Sequence, residues 1–270
     1  MTNDKNRIIN VISNYNQASQ KIYQLLIDKL KSKGFTVPTK YNNNAELNIC
    51  IGGDGAFLRT VHRYKFTHIP FIGINTGHLG FFQEILPENI DTFIDKYINK
   101  DYVVEEILLV KANVCTKTSC FELLGVNEIV IKGIRSKVVH LEVFIDNNHL
   151  ERFCGDGIIV STPAGSTAYN FSSGGSIVYP SLKILQITPL SPISSKAYRS
   201  LPNSTIVPGD IVITIKPEYR YENSILIIVD GIEYRYDNIT EINFTVPEKT
   251  IFRLNLDKNM YWNNLKSKFL

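Results

Sequence analysis

The sequence has no long hydrophobic run, no block of like charge and few cysteines. Its longest apolar stretches, such as Ile225 to Val229, are strand-sized, well short of the length a membrane-spanning helix needs. Met1 to Arg7 lead only into Ile8 to Ile12, too brief an apolar core for a secretory leader. A soluble cytoplasmic protein with no membrane partner is therefore expected. The 29 basic residues exceed the 26 acidic ones by only three and are scattered, which argues against a nucleic-acid partner. The four cysteines, at 50, 115, 120 and 154, form no C-x-x-C pair, and no histidines cluster near them at zinc spacing. Buried or idle thiols in a reducing compartment are the expectation. There is no internal repeat and no low-complexity tract.

What the chain does have is a glycine turn around which the rest is organised. Leu47 to Ile51 reads as a short buried strand, Gly52-Gly53-Asp54-Gly55 as a turn, and Ala56 to His62 as the start of a helix. Strand, glycine turn and helix together make an anion-binding geometry, because free N–H groups point outward at the turn and the helix start. No Lys-Ser/Thr follows, so this is not a P-loop, and the spacing is not that of the dinucleotide fingerprint. The carboxylate of Asp54 would repel a phosphate unless it had other work. Holding Mg²⁺ and taking a proton from an attacking hydroxyl both fit, and a plain tight connection is the structural alternative.

Along the chain, Ile8 to Ile12 reads as a first strand. Gln17 to Lys33 reads as a helix with Ile22, Leu25, Leu26 and Leu30 on one face, stopped by Gly34. Phe35 to Val37 is a candidate strand, Ile69 to Ile74 another, and Pro87 to Lys100 a helix with Ile90, Phe93, Ile94 and Tyr97 inward. This alternation predicts a parallel sheet with helices on its faces. A second glycine loop, Asn75 to Phe82, closes one of these strands and carries His78, a candidate catalytic group or a structural hydrogen-bonder. From about Asp101 to Val246 the texture turns short, alternating and β-branched. Hairpins are expected around Asp146-Asn147-Asn148 and around Asp230-Gly231, and a pair of strand pieces around Pro208-Gly209. The second region is thus all-β, in two antiparallel layers. Tyr261, Trp262, Leu265 and Phe269 are helix-spaced and expected to pack on the first domain. The domains expected are 1–102, 103–250 and a C-terminal segment 251–270.

The β-rich half holds a second polar cluster, Cys154-Gly155-Asp156-Gly157 and then Ser161 to Asn170. Its hydroxyls, amide and Tyr169 suit a ribose, an amide or a base edge. Asn127-Glu128, before an apolar run, can be an ordinary turn or can hold a vicinal diol.

Gly52 to Gly55, Gly73 to Phe81, Asn127-Glu128, Gly155 to Gly157 and Thr162 to Tyr169, in this order, resemble the motif set of the NAD kinase family. The match runs from about Ile49 to Asp230. The first motif is shared with lipid kinases and phosphofructokinases, and the last is the most specific. The resemblance implies a Rossmann-like α/β domain, a β-sandwich-like domain and an active site in the crevice between them. It implies phosphorylation of the 2′-hydroxyl of the adenosine ribose of NAD to give NADP, from ATP or polyphosphate, with Mg²⁺ whose protein ligands stay unassigned. Asp54 would be the catalytic aspartate. Gly52, Gly53, Gly55 and Arg59 would meet donor phosphates, a solvated helix face being the alternative for Arg59. Asp54, Gly55, Asn127, Glu128, Asp156, Thr167, Ala168, Tyr169, Asn170 and Ser172 would bind NAD. Asp230 matches an aspartate of a late family motif and also suits a simple hairpin turn. A homo-oligomer, dimer or tetramer, is implied as well. Two departures stand out: Ala56 where the family usually has Thr, and Cys154 where some members carry a basic residue. They keep open a non-catalytic NAD(P) sensor, beside a lipid kinase of the same superfamily.

Overall fold

The computed structural model describes residues 7–77, 80–196, 198–218 and 225–270. His78 and Leu79 therefore lie outside the described residues, and so does Ser224. The chain forms two compact units, Met1–Glu106 with Ile251–Leu270, and Ile107–Thr250.

The first unit is built on a five-stranded sheet. Its elements are β1 (Ile9–Ser13), α1 (Gln17–Ser32), β2 (Leu47–Gly52), α2 (Asp54–Arg63), β3 (Phe71–Asn75), α3 (Ile90–Ile98) and β4 (Val103–Ile107). The last strand of the chain, β17 (Ile251–Asn255), enters between β3 and β4, so the order is β1-β2-β3-β17-β4. β1, β2, β3 and β17 run parallel. Phe35 to Val37 do not form a full strand, and only an isolated bridge joins Thr36 to Ile8. That bridge still fixes the winding: the chain leaves β1 outward to Thr36, then doubles back to β2 on the other side.

Alternation along the strands makes two cores. Leu47, Ile49, Ile51, Ile72 and Ile74 pack with Leu26 and Leu30 of α1 and Phe93 and Ile94 of α3. Residues of the opposite parity face α2, whose Phe57 stacks on Phe82 at 4.6 Å and meets Phe71 edge-on at 5.6 Å. α1 is capped by the Asn16 side chain, which accepts the Ser19 N–H. Its buried stripe runs through Ser19, Leu26, Ile27 and Leu30. Leu25, expected inward, is 43% exposed, because it falls one position off the 3.6-residue stripe that Ile27 occupies. The closing helix α5 (Met260–Phe269) packs on the first unit through Tyr261 and Phe269, whose rings each meet Phe81 at 6.1 Å. Its one buried residue is Asn264, whose Nδ2 donates to the Gly80 carbonyl, and Trp262 is half exposed.

The second unit has the strands β5 (Val110–Thr116), β6 (Cys120–Gly125), β7 (Glu128–Gly133), β8 (Val139–Ile145), β9 (Asn148–Gly155) and β10 (Gly157–Ser161). A short helix α4 (Tyr169–Ser172) precedes β11 (Ile184–Leu190), β12 (Thr205–Pro208), β13 (Ile213–Pro217), β14 (Ile225–Val229), β15 (Ile232–Tyr234) and β16 (Ile239–Thr245). They form two six-stranded antiparallel sheets, β12-β11-β10-β7-β14-β15 and β6-β5-β16-β13-β8-β9. Their inward side chains share one core, with Ile129, Ile158 and Ile227 from one sheet and Val143, Ile215 and Phe244 from the other, which makes a β-sandwich. The two pieces flanking Pro208-Gly209 are not partners. β12 belongs to one sheet and β13 to the other, because the chain changes layers at that corner.

Both expected hairpins form, with left-handed φ at Asp146 and Asn147 and at Asp230 and Gly231, the backbone that matches strand twist. The cysteines depart from expectation. Cys115 and Cys120 are register partners across β5 and β6, with Cα atoms 4.0 Å apart, and are joined as a disulfide. Cys50 and Cys154 are buried free thiols. Folding brought one pair together that spacing alone did not mark. Phe153 is wholly buried in the sandwich core. Phe153→Ala is expected to lower stability by roughly 3–5 kcal/mol, measured by denaturant unfolding.

Candidate active site

In the first unit the polar centre lies at the C-terminal ends of β1 and β2, where the winding reverses. Ligands of open α/β sheets bind at such a switch point. α2 begins at Asp54 itself, with Gly53 as its N-cap, rather than at Ala56. The first N–H groups of this helix have no carbonyl one turn back to receive them. Asp54 turns its carboxylate toward the loop after β3. Oδ2 accepts the Phe81 N–H at 2.9 Å and Oδ1 the Phe82 N–H at 3.0 Å. A side chain on Gly80 would put its Cβ 2.1 Å from Asp54 Oδ1, so only glycine admits the carboxylate there.

Three further groups hold this loop. Gln83, 1% exposed, donates from Nε2 to the Gly53 carbonyl at 3.0 Å. Arg253, paired with Glu105, donates to the Phe81 carbonyl at 2.8 Å. Asn264 donates to the Gly80 carbonyl at 3.0 Å. Beside the turn, a cavity of about 240 Å³ is lined by residues that include Ser13, Asn14, Ala56, Arg59, Thr60 and Arg63. Arg59 is exposed and donates to Asn14 Oδ1 at 3.2 Å.

In the second unit, Asn127-Glu128 opens β7 beside the end of β10, with Glu128 opposite Ser161. Thr162 ties this end together: its Oγ1 donates to the Val126 carbonyl at 2.6 Å, and its N–H donates to the Asn127 carbonyl at 2.9 Å. Gly165 packs so closely that a Cβ there would lie 2.0 Å from the Asn127 carbonyl oxygen. Asn127 Oδ1 and Glu128 Oε2 are buried and bonded to no protein group. Burial, and secondarily the Asp230 carboxylate, push the Glu128 carboxyl up to about 8. At neutral pH it is therefore an acid with one O–H donor and one acceptor, rather than the acceptor pair expected from a carboxylate. Two buried polar atoms left unpaired cost about 1–3 kcal/mol each, a cost that a polar ligand recovers.

Two family models cover most of the chain: the ATP-NAD kinase N-terminal domain matches residues 12–102, and the ATP-NAD kinase C-terminal domain residues 126–246. The chain belongs to the NAD kinase family. A NAD kinase of Finegoldia magna is 49% identical over 99% of this chain and 100% of its own length. One from Streptococcus gordonii is 35% identical over 97% and 95%. The same fold recurs in a yeast NADH kinase complexed with NADH, at TM-score 0.85 and 21% identity, over 97% of this chain and 87% of that one. It recurs also in an NAD kinase from Archaeoglobus fulgidus in complex with ATP, at TM-score 0.78 and 24% identity, over 96% and 99%.

On this NAD kinase fold, Gly52, Gly53, Asp54, Gly55 and Arg59 gather at one end of the first unit. Asn127, Glu128, Thr162, Thr167, Ala168 and Tyr169 gather at one end of the second. Tyr169 is 41% exposed and Thr167 buried. Asn170 is wholly buried: its Oδ1 accepts from Thr188 at 2.6 Å and its Nδ2 donates to the Ser166 and Ser176 carbonyls. Its amide thus braces the loop from inside. Ser172 Oγ donates to the Tyr169 carbonyl at the surface. Asp156 is exposed at the opposite end of β10 from Ser161, roughly 16 Å away at strand rise, so the fold of this unit does not bring it to the cluster.

Sequence reading did not single out Gln83, which binds the Gly53 carbonyl, Arg253 and Asn264, which bind the Phe81 and Gly80 carbonyls, or Glu105, which pairs with Arg253. The only signal open to it was a polar residue inside an apolar pattern, as at Gln83.

The raised Glu128 carboxyl makes a stability prediction. Between the ordinary carboxylate range and about pH 8 the unfolded chain binds fewer protons at this group than the folded one, so stability falls as pH rises through that window. Gln cannot ionise. Glu128→Gln is expected to gain on the parent protein between pH 5 and pH 9, by on the order of 3 kcal/mol, read from urea melts of both proteins at each pH.

Proposed function

We propose that this chain transfers the γ-phosphoryl group of ATP to the 2′-hydroxyl of the adenosine ribose of NAD, giving NADP and ADP, with Asp54 as the catalytic residue. The observation that carries this is the Asp54 carboxylate, held from behind by two N–H groups at the mouth of a glycine turn. The attacking hydroxyl gives its proton to Asp54 as its oxygen bonds to phosphorus and the bond to the ADP oxygen breaks. Each carboxylate oxygen already accepts one N–H, which fixes the orientation and leaves lone-pair capacity for that proton. Phosphoryl transfer requires mainly positioning and charge neutralisation. The helix start at Gly53 to Gly55 and the Arg59 and Arg63 guanidiniums beside the cavity supply both.

Among the described residues no three His, Cys, Asp or Glu side chains gather as a metal cage. The donor set fits Mg²⁺ carried on the donor phosphates with Asp54 as its one protein carboxylate, the usual mode for this ion. When bound, it would neutralise charge on the transferring phosphate. We assign the donor end to residues 1–102, with 251–270 supporting them, and the dinucleotide end to 103–250. There Asn127, Glu128, Thr167, Ala168, Tyr169 and Ser172 form the NAD site, Asn170 braces their loop from inside, and Asp156 stands outside it at the far end of β10. Inorganic polyphosphate serves as a second donor, since the glycine turn reads phosphates rather than a base. A cytoplasmic homo-oligomer is proposed on the family resemblance and on the open edge strands β6, β9 and β12; light scattering at micromolar protein is its test.

NADP formation from NAD with ATP and Mg²⁺ tests the activity, and Asp54→Asn is expected to cut kcat by about 10²–10⁴-fold with the fold intact. Turnover close to that of the parent would remove Asp54 from its role. Arg59→Ala is expected to raise KM for ATP roughly 3- to 10-fold while leaving KM for NAD unchanged, in initial-rate assays with each substrate varied.

A further inference from the structure

Asp230 sits at the first position of the two-residue turn between β14 and β15, with φ +47°. That backbone favours Asp, Asn or Gly equally well. It does not account for where the carboxylate goes. Oδ2 accepts the Val126 N–H at 2.7 Å, and Oδ1 accepts the Asn127 N–H at 2.7 Å and the Glu128 N–H at 3.2 Å. The Asp230 N–H returns to the Glu128 carbonyl at 3.1 Å. A side chain about a hundred residues downstream therefore clasps successive backbone amides at the entry to β7. Successive N–H groups closing on one anion are a strong, directional arrangement. The same stretch bears Asn127 Oδ1 and Glu128 Oε2, both buried and bonded to no protein group. Their backbone is held on one side by Asp230 and on the other by Thr162, which binds the Val126 and Asn127 carbonyls.

We propose that Asp230 is a positioning residue for NAD: its clasp on the Val126 to Glu128 amides aims the Asn127 and Glu128 side chains at the dinucleotide. This rests on the reading of Asn127 and Glu128 as NAD contacts. The role needs an aspartate. An asparagine would keep one acceptor for the Asn127 and Glu128 amides but would turn an N–H₂ toward the Val126 N–H, leaving that donor unpaired.

Steady-state kinetics with NAD and ATP varied separately test it, on Asp230→Ala, Asp230→Asn and Gly231→Ala, with folding checked by circular dichroism. Gly231 has φ +85° and open space about its Cβ, so Gly231→Ala strains the turn without touching the carboxylate. Asp230→Ala is expected to raise KM for NAD at least about 10-fold, while kcat and KM for ATP stay within about threefold. Asp230→Asn is expected to fall between parent and Ala, and Gly231→Ala to lower Tm with KM for NAD unchanged. The proposal is overturned by an unchanged KM for NAD in Asp230→Ala, or by a rise in Gly231→Ala as large as that in Asp230→Ala. It is overturned too if kcat and both KM values move together. Should Asp230→Ala fail to fold, Asp230→Asn decides on the same criteria. Asn127→Ala and Glu128→Ala run beside them. If those raise KM for NAD and the Asp230 variants do not, the clasp is wrong; if they leave it unchanged, the dinucleotide reading fails first.

Discussion

Asp54 meets the backbone amides of Phe81 and Phe82, and the first unit's site is arranged to allow that meeting. The carboxylate reaches them because α2 starts at Asp54 and because Gly80 has no side chain in the way. The loop that offers the amides is itself held by Gln83, Arg253 and Asn264. Arg253 and Asn264 come from the last twenty residues, on β17 and α5. The return of the chain to its first sheet thus has a chemical consequence, since it fixes the groups that fix the carboxylate.

The second unit uses the same device at another place. Asp230 closes on the amides of Val126, Asn127 and Glu128, as Asp54 closes on those of Phe81 and Phe82. In both, a carboxylate on a turn holds a distant loop through N–H groups, a bond that depends on backbone position rather than on the identity of the loop's side chains. The loop residues are then free to be chosen for a ligand. Asn127 and Glu128 show the result, with polar atoms buried and bonded to no protein group. Such atoms lower the stability of the protein alone, which is the expected mark of a surface shaped for something else.

Much of the fold was legible in order along the chain. Apolar runs marked β1, β2 and β3 of the first sheet, while β4 and β17, which complete it from later in the chain, carried no such signal, and the change to β-branched alternation near Asp101 marked the second unit. The failures have physical causes. Leu25 was placed inward because apolar character alone does not set helix phase. The two strand pieces around Pro208-Gly209 form, as β12 and β13, but in different sheets, because a turn signal does not say which layer the next strand joins. Cys115 and Cys120 carried no motif, and became partners only through the register of β5 and β6.

By itself the sequence determined the local chemistry: a glycine turn with one aspartate, an Asn-Glu pair before a strand, and hydroxyl residues around Tyr169. It also determined the family, because ordered motifs are a property of the chain and need no coordinates. Tertiary structure decided which groups support those residues and which stand apart. It joined Asp230 to Asn127 and Arg253 to Phe81, turned the Asn170 amide inward, and left Asp156 at the far end of its strand. The reason is that these relations run through backbone amides and carbonyls, which every residue possesses, so no residue type announces them before the chain has folded.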